Sequence, residues 1–307
     1  MQNAQGDYTI WRKPDIISQD VADTGSKSVN TNIVITGGRG QLGRELERVL
    51  KDKYRILILD LPKTADITRR EAVDAIADLA PDLIIHAAAM TDVDGCARDP
   101  LAAFRANAIG TQNVALACQR AGAAMLYIST NEVFDGAKDS PYLEFDEPHA
   151  INPYGASKLA GERVVQMLLD EFYIVRTAWM FARGGNNFPN KMIALAKQNG
   201  QLAVVDDEIG NPTYAPDLAR ALAQLIETKH YGIYHLTNEG IASRYDFTER
   251  ILKLAGLGHV PLTRIKLADY TRASTPPRNG ALANFVAANV LGIRLRPWQD
   301  ALEEFFR

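Results

Sequence analysis

Tyr154-Gly155-Ala156-Ser157-Lys158 sets a phenol and an amine four positions apart. On a helix those two positions share a face. A tyrosine placed so can point at a substrate oxygen while the lysine faces a cofactor ribose. A nearby ammonium stabilises a phenolate and favours proton exchange near neutral pH. Thr130 closes the apolar run AMLYIST upstream and is placed to hydrogen-bond the same oxygen. The chemistry that suits this trio is hydride transfer to a ketone. Alkoxide charge develops; Tyr154 protonates it, Lys158 supports that acidity and Thr130 stabilises the charge. Tyr-x-x-x-Lys alone equally describes a surface pair, so its weight depends on the elements around it.

Thr36-Gly37-Gly38-Arg39-Gly40-Gln41-Leu42-Gly43 lies between the strand-like NIVIT and the helix-like QLGRELERVL. Gly37, Gly40 and Gly43 make a G-x-x-G-x-x-G turn. Such a turn needs positive backbone dihedrals and close approach to a pyrophosphate. The helix behind it offers unpaired N–H groups and the positive end of its dipole. Asp60 ends the next strand, where a carboxylate accepts both ribose hydroxyls of NAD and repels the extra phosphate of NADP. Lys63 or Arg39 offsets that repulsion, so the preference for NADH over NADPH is weak. A plain strand-end turn is the alternative for Asp60. Asp66 either caps the following helix or lies with Ile67 near an adenine. Ala87, Ala88 and Ala89 after the strand DLIIH leave room for a cofactor, and Asn107 orders the backbone beside it.

Strand and helix patterns alternate from Thr31 to the strand FYIVRTAWMF, as in a parallel sheet covered on both faces. A helix is expected over 100–121 and a long one over INPYGASKLAGERVVQMLLD. The predicted fold class is α/β, a Rossmann-like doubly wound sheet with a smaller interleaved substrate-binding part. Residues 1–30 read as a polar leader or arm, and 31–180 mainly as the NAD(P)-binding body. Segment 181–214 reads as substrate-binding, 215–237 as a return to the body, and 238–307 mainly as a C-terminal substrate-binding part. The segment 261–280 is rich in turn residues.

The 307 residues are 47% hydrophobic and 23% charged, with net charge −3. That balance demands no broad basic surface, which argues against nucleic acid as a partner. No run has signal-peptide or membrane-spanning character, so a cytoplasmic location without membrane attachment is expected. Cys96 and Cys118 read as free thiols. No His, Asp or Glu cluster has ligand spacing, so no metal site is expected and magnesium is not required. His86 and His149 read as structural or solvent-facing.

The motifs TGGRGQLG, PDLIIHAAAMTDVD, ISTNEVFDG, NPYGASKLAGE, VRTAWMF, NNF, VVDDEIGNPTYAPDLA and GIRLRPWQDALEEF span nearly everything after the leader. Together they resemble the extended short-chain dehydrogenase/reductases, and within them the dTDP-4-dehydrorhamnose reductase family. The resemblance implies NAD(P)H-dependent reduction of the C4 ketone of dTDP-4-dehydro-6-deoxy-L-mannose to dTDP-L-rhamnose. It implies Thr130, Tyr154 and Lys158 as the catalytic group, and sugar contacts from Met90, Thr91, Val93 and Trp179. Arg183, Asn187, Phe188 and the segment 207–213 are implied on the nucleotide-sugar side, with Arg278 at a phosphate. Core packing is the alternative for Trp179 and a loop turn for Asn187. A homodimer is also implied.

The chain departs from that family where Ser-Thr-Asp-Tyr-Val-Phe is usual and Ser129-Thr130-Asn131-Glu132-Val133-Phe134 stands. Related 4,6-dehydratases resemble Thr-Asp-Glu here, their acid protonating a leaving hydroxyl and their glutamate removing a carbon-bound proton. Asn131 is an amide and delivers no such proton. Glu132 suits either an epimerase base or a supporting role, and with Asn131 it belongs to the expected substrate wall. Two other functions remain: a nucleotide-sugar epimerase that returns its hydride, and an NADP-binding regulatory subunit with little turnover. Intact Thr130, Tyr154 and Lys158 argue against the second.

Overall fold

The computed structural model describes residues 31–60 and 66–307, so the leader and Lys63 lie outside the described residues. The first half runs β1 Asn32–Thr36, α1 Gln41–Leu50, β2 Arg55–Leu59, α2 Ala72–Ala77, β3 Leu83–His86, α3 Val93–Arg98, α4 Pro100–Phe104, α5 Gly110–Ala121, β4 Ala124–Thr130 and α6 Pro153–Leu168. Next come β5 Phe172–Thr177, β6 Met180–Phe181, α7 Phe188–Asn199, β7 Leu202–Val205, β8 Ile209–Gly210, β9 Thr213–Tyr214 and α8 Ala215–Thr228. The chain closes with β10 Gly232–His235, β11 Ala242–Ser243, α9 Arg244–Leu254, β12 Leu262–Ile265, α10 Phe285–Val290 and α11 Trp298–Phe306.

Six strands form one sheet in the order β10-β5-β4-β3-β1-β2, and every neighbouring pair is parallel. Strands covered on both faces are apolar throughout, as Ile33, Val34 and Ile35 are in β1. Leu46 of α1 and Leu218 and Leu222 of α8 pack on one face. Ile76 of α2, Val114 of α5 and Val165 of α6 pack on the other. The chain leaves β1 toward β2 on one side and comes back as β3 on the other. That reversal opens a crevice at the carboxyl ends of β1 and β3.

A second core gathers Phe181, Tyr214, Phe247, Leu252 and Trp298. It is held by three short strand pairs, β6 with β9, β7 with β12 and β8 with β11. Aromatic stacking ties them, with Phe188 parallel to Phe247 at 5.6 Å and Trp298 edge-on to Phe247 at 5.6 Å.

Three elements differ from the pattern in the sequence. FYIVRTAWMF predicts one strand, yet β5 stops at Thr177 and β6 restarts in another sheet. Trp179 lies between them with φ of 43°, a left-handed backbone that strand propensity does not foresee. The helix expected over 100–121 is interrupted by a π turn at Arg105–Ile109. Within the turn-rich 261–280, β12 forms because Leu262–Ile265 finds an edge on β7. No helix among the described residues is long and apolar enough to cross a membrane.

Candidate active site

The crevice widens into a cleft of about 870 Å³. Gly37, Arg39, Gly40, Gln41, Leu42, Gly43, Asp60, Ile67, Ala87, Ala88 and Ala89 line one side. Met90, Thr91, Val93, Thr130, Asn131, Glu132, Tyr154, Lys158 and Trp179 line the rest, so most of the expected residues meet in one place.

The glycine side is shaped by backbone. Gly37 has φ of 70°, and a Cβ there would lie 2.7 Å from the Ala88 backbone. No larger residue fits this bend without moving the Ala87–Ala88 backbone that follows β3. Gly40 caps α1 without a side-chain bond, so the first N–H groups of that helix face the cleft. Asp60 accepts the Arg39 N–H at 2.8 Å, which fixes the carboxylate beside the loop. These features fit a dinucleotide: a pyrophosphate on the open helix end and a ribose at Asp60.

Behind the loop lies a buried hydrogen-bonded column. Thr36 Oγ1 is 2.6 Å from His86 Nδ1, and His86 Nε2 is 3.1 Å from Thr111 Oγ1. Thr111 donates its proton to the Asn107 carbonyl at 2.6 Å. Its oxygen therefore accepts from His86 Nε2–H, and His86 Nδ1 accepts from Thr36. Burial, then the charge of Lys158, draws His86 down to about 3, so it stays neutral.

Asn107 sits in the π turn and works through its neighbours. Its Oδ1 accepts from Met90 N–H at 2.8 Å. Its Nδ2 donates to the Met90 carbonyl at 3.0 Å and to Ser157 Oγ at 3.0 Å. Ser157 in turn donates to the Tyr154 carbonyl at 2.8 Å. One side chain thus clamps the Met90 wall to the helix that carries Tyr154.

Asn152 starts α6 by accepting the Gly155 N–H at 2.8 Å. At Gly155 a Cβ would run into the Glu132 carbonyl, so glycine lets the helix start touch that segment. Tyr154 is half-buried on the cleft wall. Burial raises its pKa well above the ordinary phenol value, the charge of Glu132 adds to this, and a hydrogen bond with Thr130 opposes it. Lys158 is only 2% exposed. Its Nζ lies 4.1 Å from the centre of the Tyr127 ring. Burial draws it down to about 7 against the pull of Glu162. Burial and Glu132 both raise the Tyr154 phenol, which favours its protonated form.

Glu132 is held by Asn152 Nδ2 at 2.7 Å, and its N–H donates to Thr130 Oγ1 at 3.2 Å. Burial pushes its carboxyl up to about 7, the Asn152 bond opposes this, and the charge of Glu208 adds to it. Facing it, the Arg244 guanidinium lies 3.6 Å from the Trp179 ring centre and pairs with Glu208 at 2.8 Å.

A protein-family model described as the RmlD substrate binding domain matches residues 31–307. The chain belongs to that family. A dTDP-4-dehydrorhamnose reductase of Aggregatibacter actinomycetemcomitans is 41% identical over 285 residues, covering 88% of this chain and 97% of that protein. The solved structure of a dTDP-4-dehydrorhamnose reductase ortholog from Clostridium acetobutylicum matches with a TM-score of 0.86 at 39% identity, over 90% of this chain and 98% of that one. The dTDP-4-dehydrorhamnose reductase of Bacillus anthracis, solved in complex with NADP, matches with a TM-score of 0.85 at 38% identity, over 90% and 98%.

Several expected residues of this RmlD-family chain lie off the cleft wall. Arg183 donates to the carbonyls of Glu304 and Phe305. Asn187 caps α7 and donates to the carbonyls of Ala182 and Gly184. Phe188 stacks in the second core. Arg278 reaches outward toward Asp139 at 3.9 Å. Asp66 accepts from Thr68 N–H and hydroxyl in a local turn. Conversely, Arg44, Asn186 and Arg244 line the cleft and were not foreseen. Arg244 left one signal, since it opens a capped helix after Ser243. Among the described residues no group of three His, Cys, Asp or Glu side chains is placed to hold a metal.

Proposed function

We propose that the chain reduces the C4 ketone of dTDP-4-dehydro-6-deoxy-L-mannose to dTDP-L-rhamnose, with Tyr154 as proton donor. The observation that carries this is the meeting of Thr130, Tyr154 and Lys158 on the cleft wall facing the glycine loop. A reduced nicotinamide dinucleotide bound along that loop supplies the hydride. Gly37, Gly40 and the open end of α1 hold its pyrophosphate, and Asp60 holds a ribose. Thr130 and Tyr154 direct their hydroxyls at the ketone oxygen and stabilise the charge that grows there. A phenol that stays protonated is the right partner for reduction, because the step consumes a proton. Lys158 adds positive charge beside the alkoxide. Trp179 lines the sugar side of the cleft, and the Arg244 guanidinium stacks on one face of its ring and holds it in place.

Residues 31–180 and 215–237 bind the cofactor in this proposal, while 181–214 and 238–307 close over the nucleotide sugar. Asp60 favours NADH, and Arg39 and Arg44 on the cleft wall favour the extra phosphate of NADPH. The test is direct. Purified protein is mixed with the keto sugar and either NADH or NADPH, cofactor absorbance is followed, and the sugar product is identified. One reduced cofactor consumed per dTDP-L-rhamnose formed supports the assignment and ranks the cofactors. No consumption, beside a working reference reductase, ends it for this substrate.

A further inference from the structure

Reduction leaves one cleft carboxylate without a task. Glu132 follows Thr130 by two residues and shares the wall with Tyr154. It is pinned at three points. Its Oε2 accepts from Asn152 at 2.7 Å, its N–H donates to Thr130, and its carbonyl rests on Gly155. Asn152 is fixed in turn by the Thr275 carbonyl at 3.1 Å. Among the described hydrogen bonds Oε1 has no donor, and the residue opens on the cleft. A carboxylate fixed beside two hydroxyls that hold a ketone oxygen is the arrangement for removing a proton from the adjacent carbon.

We propose that this site also catalyses proton exchange at a carbon next to the substrate ketone, with Glu132 as the base. The inference rests on the keto-sugar reading above. The C–H proton moves to Glu132, the C–H electron pair becomes the enolate double bond, and the carbonyl pair moves onto oxygen. Thr130 and Tyr154 hold that oxygen. Glu132 exchanges its proton with solvent and returns one to the same carbon. Nothing is oxidised, reduced or lost. Burial holds the Glu132 carboxyl near 7, so both its acid and base forms are populated at neutral pH. Elimination of a neighbouring hydroxyl would need an acid beside the base. That position holds Asn131, an amide buried to 4% exposure, so the enolate collapses by reprotonation.

The experiment uses the full chain in deuterium oxide with the keto sugar, without reduced cofactor and with oxidised cofactor present. Proton NMR follows the hydrogens on the two carbons flanking the ketone. Reduction is measured in parallel with NADPH or NADH. The expected result is enzyme-dependent loss of one such hydrogen signal. In Glu132→Gln, exchange falls by roughly 100-fold more than reduction does. The glutamine keeps an acceptor for Asn152, and cofactor fluorescence checks that the variant is folded. Reduction without exchange above buffer overturns this proposal and leaves the reductase reading standing. Exchange that survives in Glu132→Gln assigns the base elsewhere and overturns it too. Absence of both reactions removes the reductase reading along with it.

Discussion

The two walls of the cleft are made of different material. The glycine-loop wall is shaped mainly by the backbone at Gly37, Gly40 and Gly43 and by Ala87, Ala88 and Ala89, with Arg39 and Asp60 as its charged side chains. The opposite wall is charged and aromatic, with Glu132, Trp179 and Arg244 drawn from three distant parts of the chain. The first wall presents N–H groups and empty space, and its shape depends on what is missing. The second presents side chains whose charges are set by neighbours, with Glu132 near neutrality and Arg244 tied to Glu208. A wall of backbone recognises what many nucleotides share. In the function proposed above, the wall of long-range side chains is the one that meets the sugar.

Variants can break or sharpen this contrast. The largest expected effect is Tyr154→Phe, which lowers kcat by roughly 100- to 10,000-fold while cofactor affinity by fluorescence titration stays close to wild type. Wild-type turnover in this variant would sink the proton-donor assignment. Arg244→Ala comes next. It strips the cover from Trp179 and leaves the buried Glu208 carboxylate unpaired, at a cost of about 2–3 kcal/mol in stability. KM for the sugar rises in steady-state kinetics, while cofactor affinity holds. Gly37→Ala does the reverse. A left-handed alanine costs about 1–2 kcal/mol and its Cβ would meet the Ala88 backbone at 2.7 Å, so the loop must shift, and cofactor affinity falls by about tenfold or more with little change at the sugar. If both variants moved both affinities alike, the two walls would not be separable.

The smallest effects are in pH. Lys158 loses its charge as pH rises through about 7, and Glu132 gains its charge in the same range. Both changes disfavour a growing alkoxide, so kcat/KM for reduction falls on raising pH through about 7. In Glu132→Gln that fall is shallower. Stability separates the two groups. Glu132 has a folded value raised above its ordinary 4.5, so its contribution is present below 4.5 and lost as pH rises through 7. Lys158 is depressed from 10.5, so its burial penalty eases as pH rises from about 7 toward 10.5. Thermal melts of Glu132→Gln against wild type show a gap that grows in the variant's favour between pH 4.5 and 7. A constant gap would contradict the burial of that carboxyl.

The same contrast explains what the sequence discloses. The glycine loop, Asp60 and the Tyr154–Lys158 pair are local patterns, because a tight turn and one helical turn each span a few residues. The alternation of apolar strands and amphipathic helices discloses the sheet for the same reason. Arg244 escaped because its meaning lies in Trp179 and Glu208, which are distant along the chain. Arg183 and Asn187 sit in the expected loop, yet their donors satisfy nearby carbonyls instead of facing the cleft. The π turn at Arg105–Ile109 has no local composition that announces it; what it carries is the reach of Asn107 to Met90 and Ser157, both distant along the chain.

Trp179 has a consequence beyond the site. The chain passes from β5 through this one left-handed residue straight into β6, and from β9 directly into α8. Residues 178–215 are therefore continuous with the parallel body at both ends, leaving the sheet at β5 and returning to it through α8, not appended to it. A recombination event that exchanged this region whole would have to rejoin two strands and a helix in register. Single replacements on the cleft wall, as at Asn131 or Glu132, would instead leave the scaffold intact.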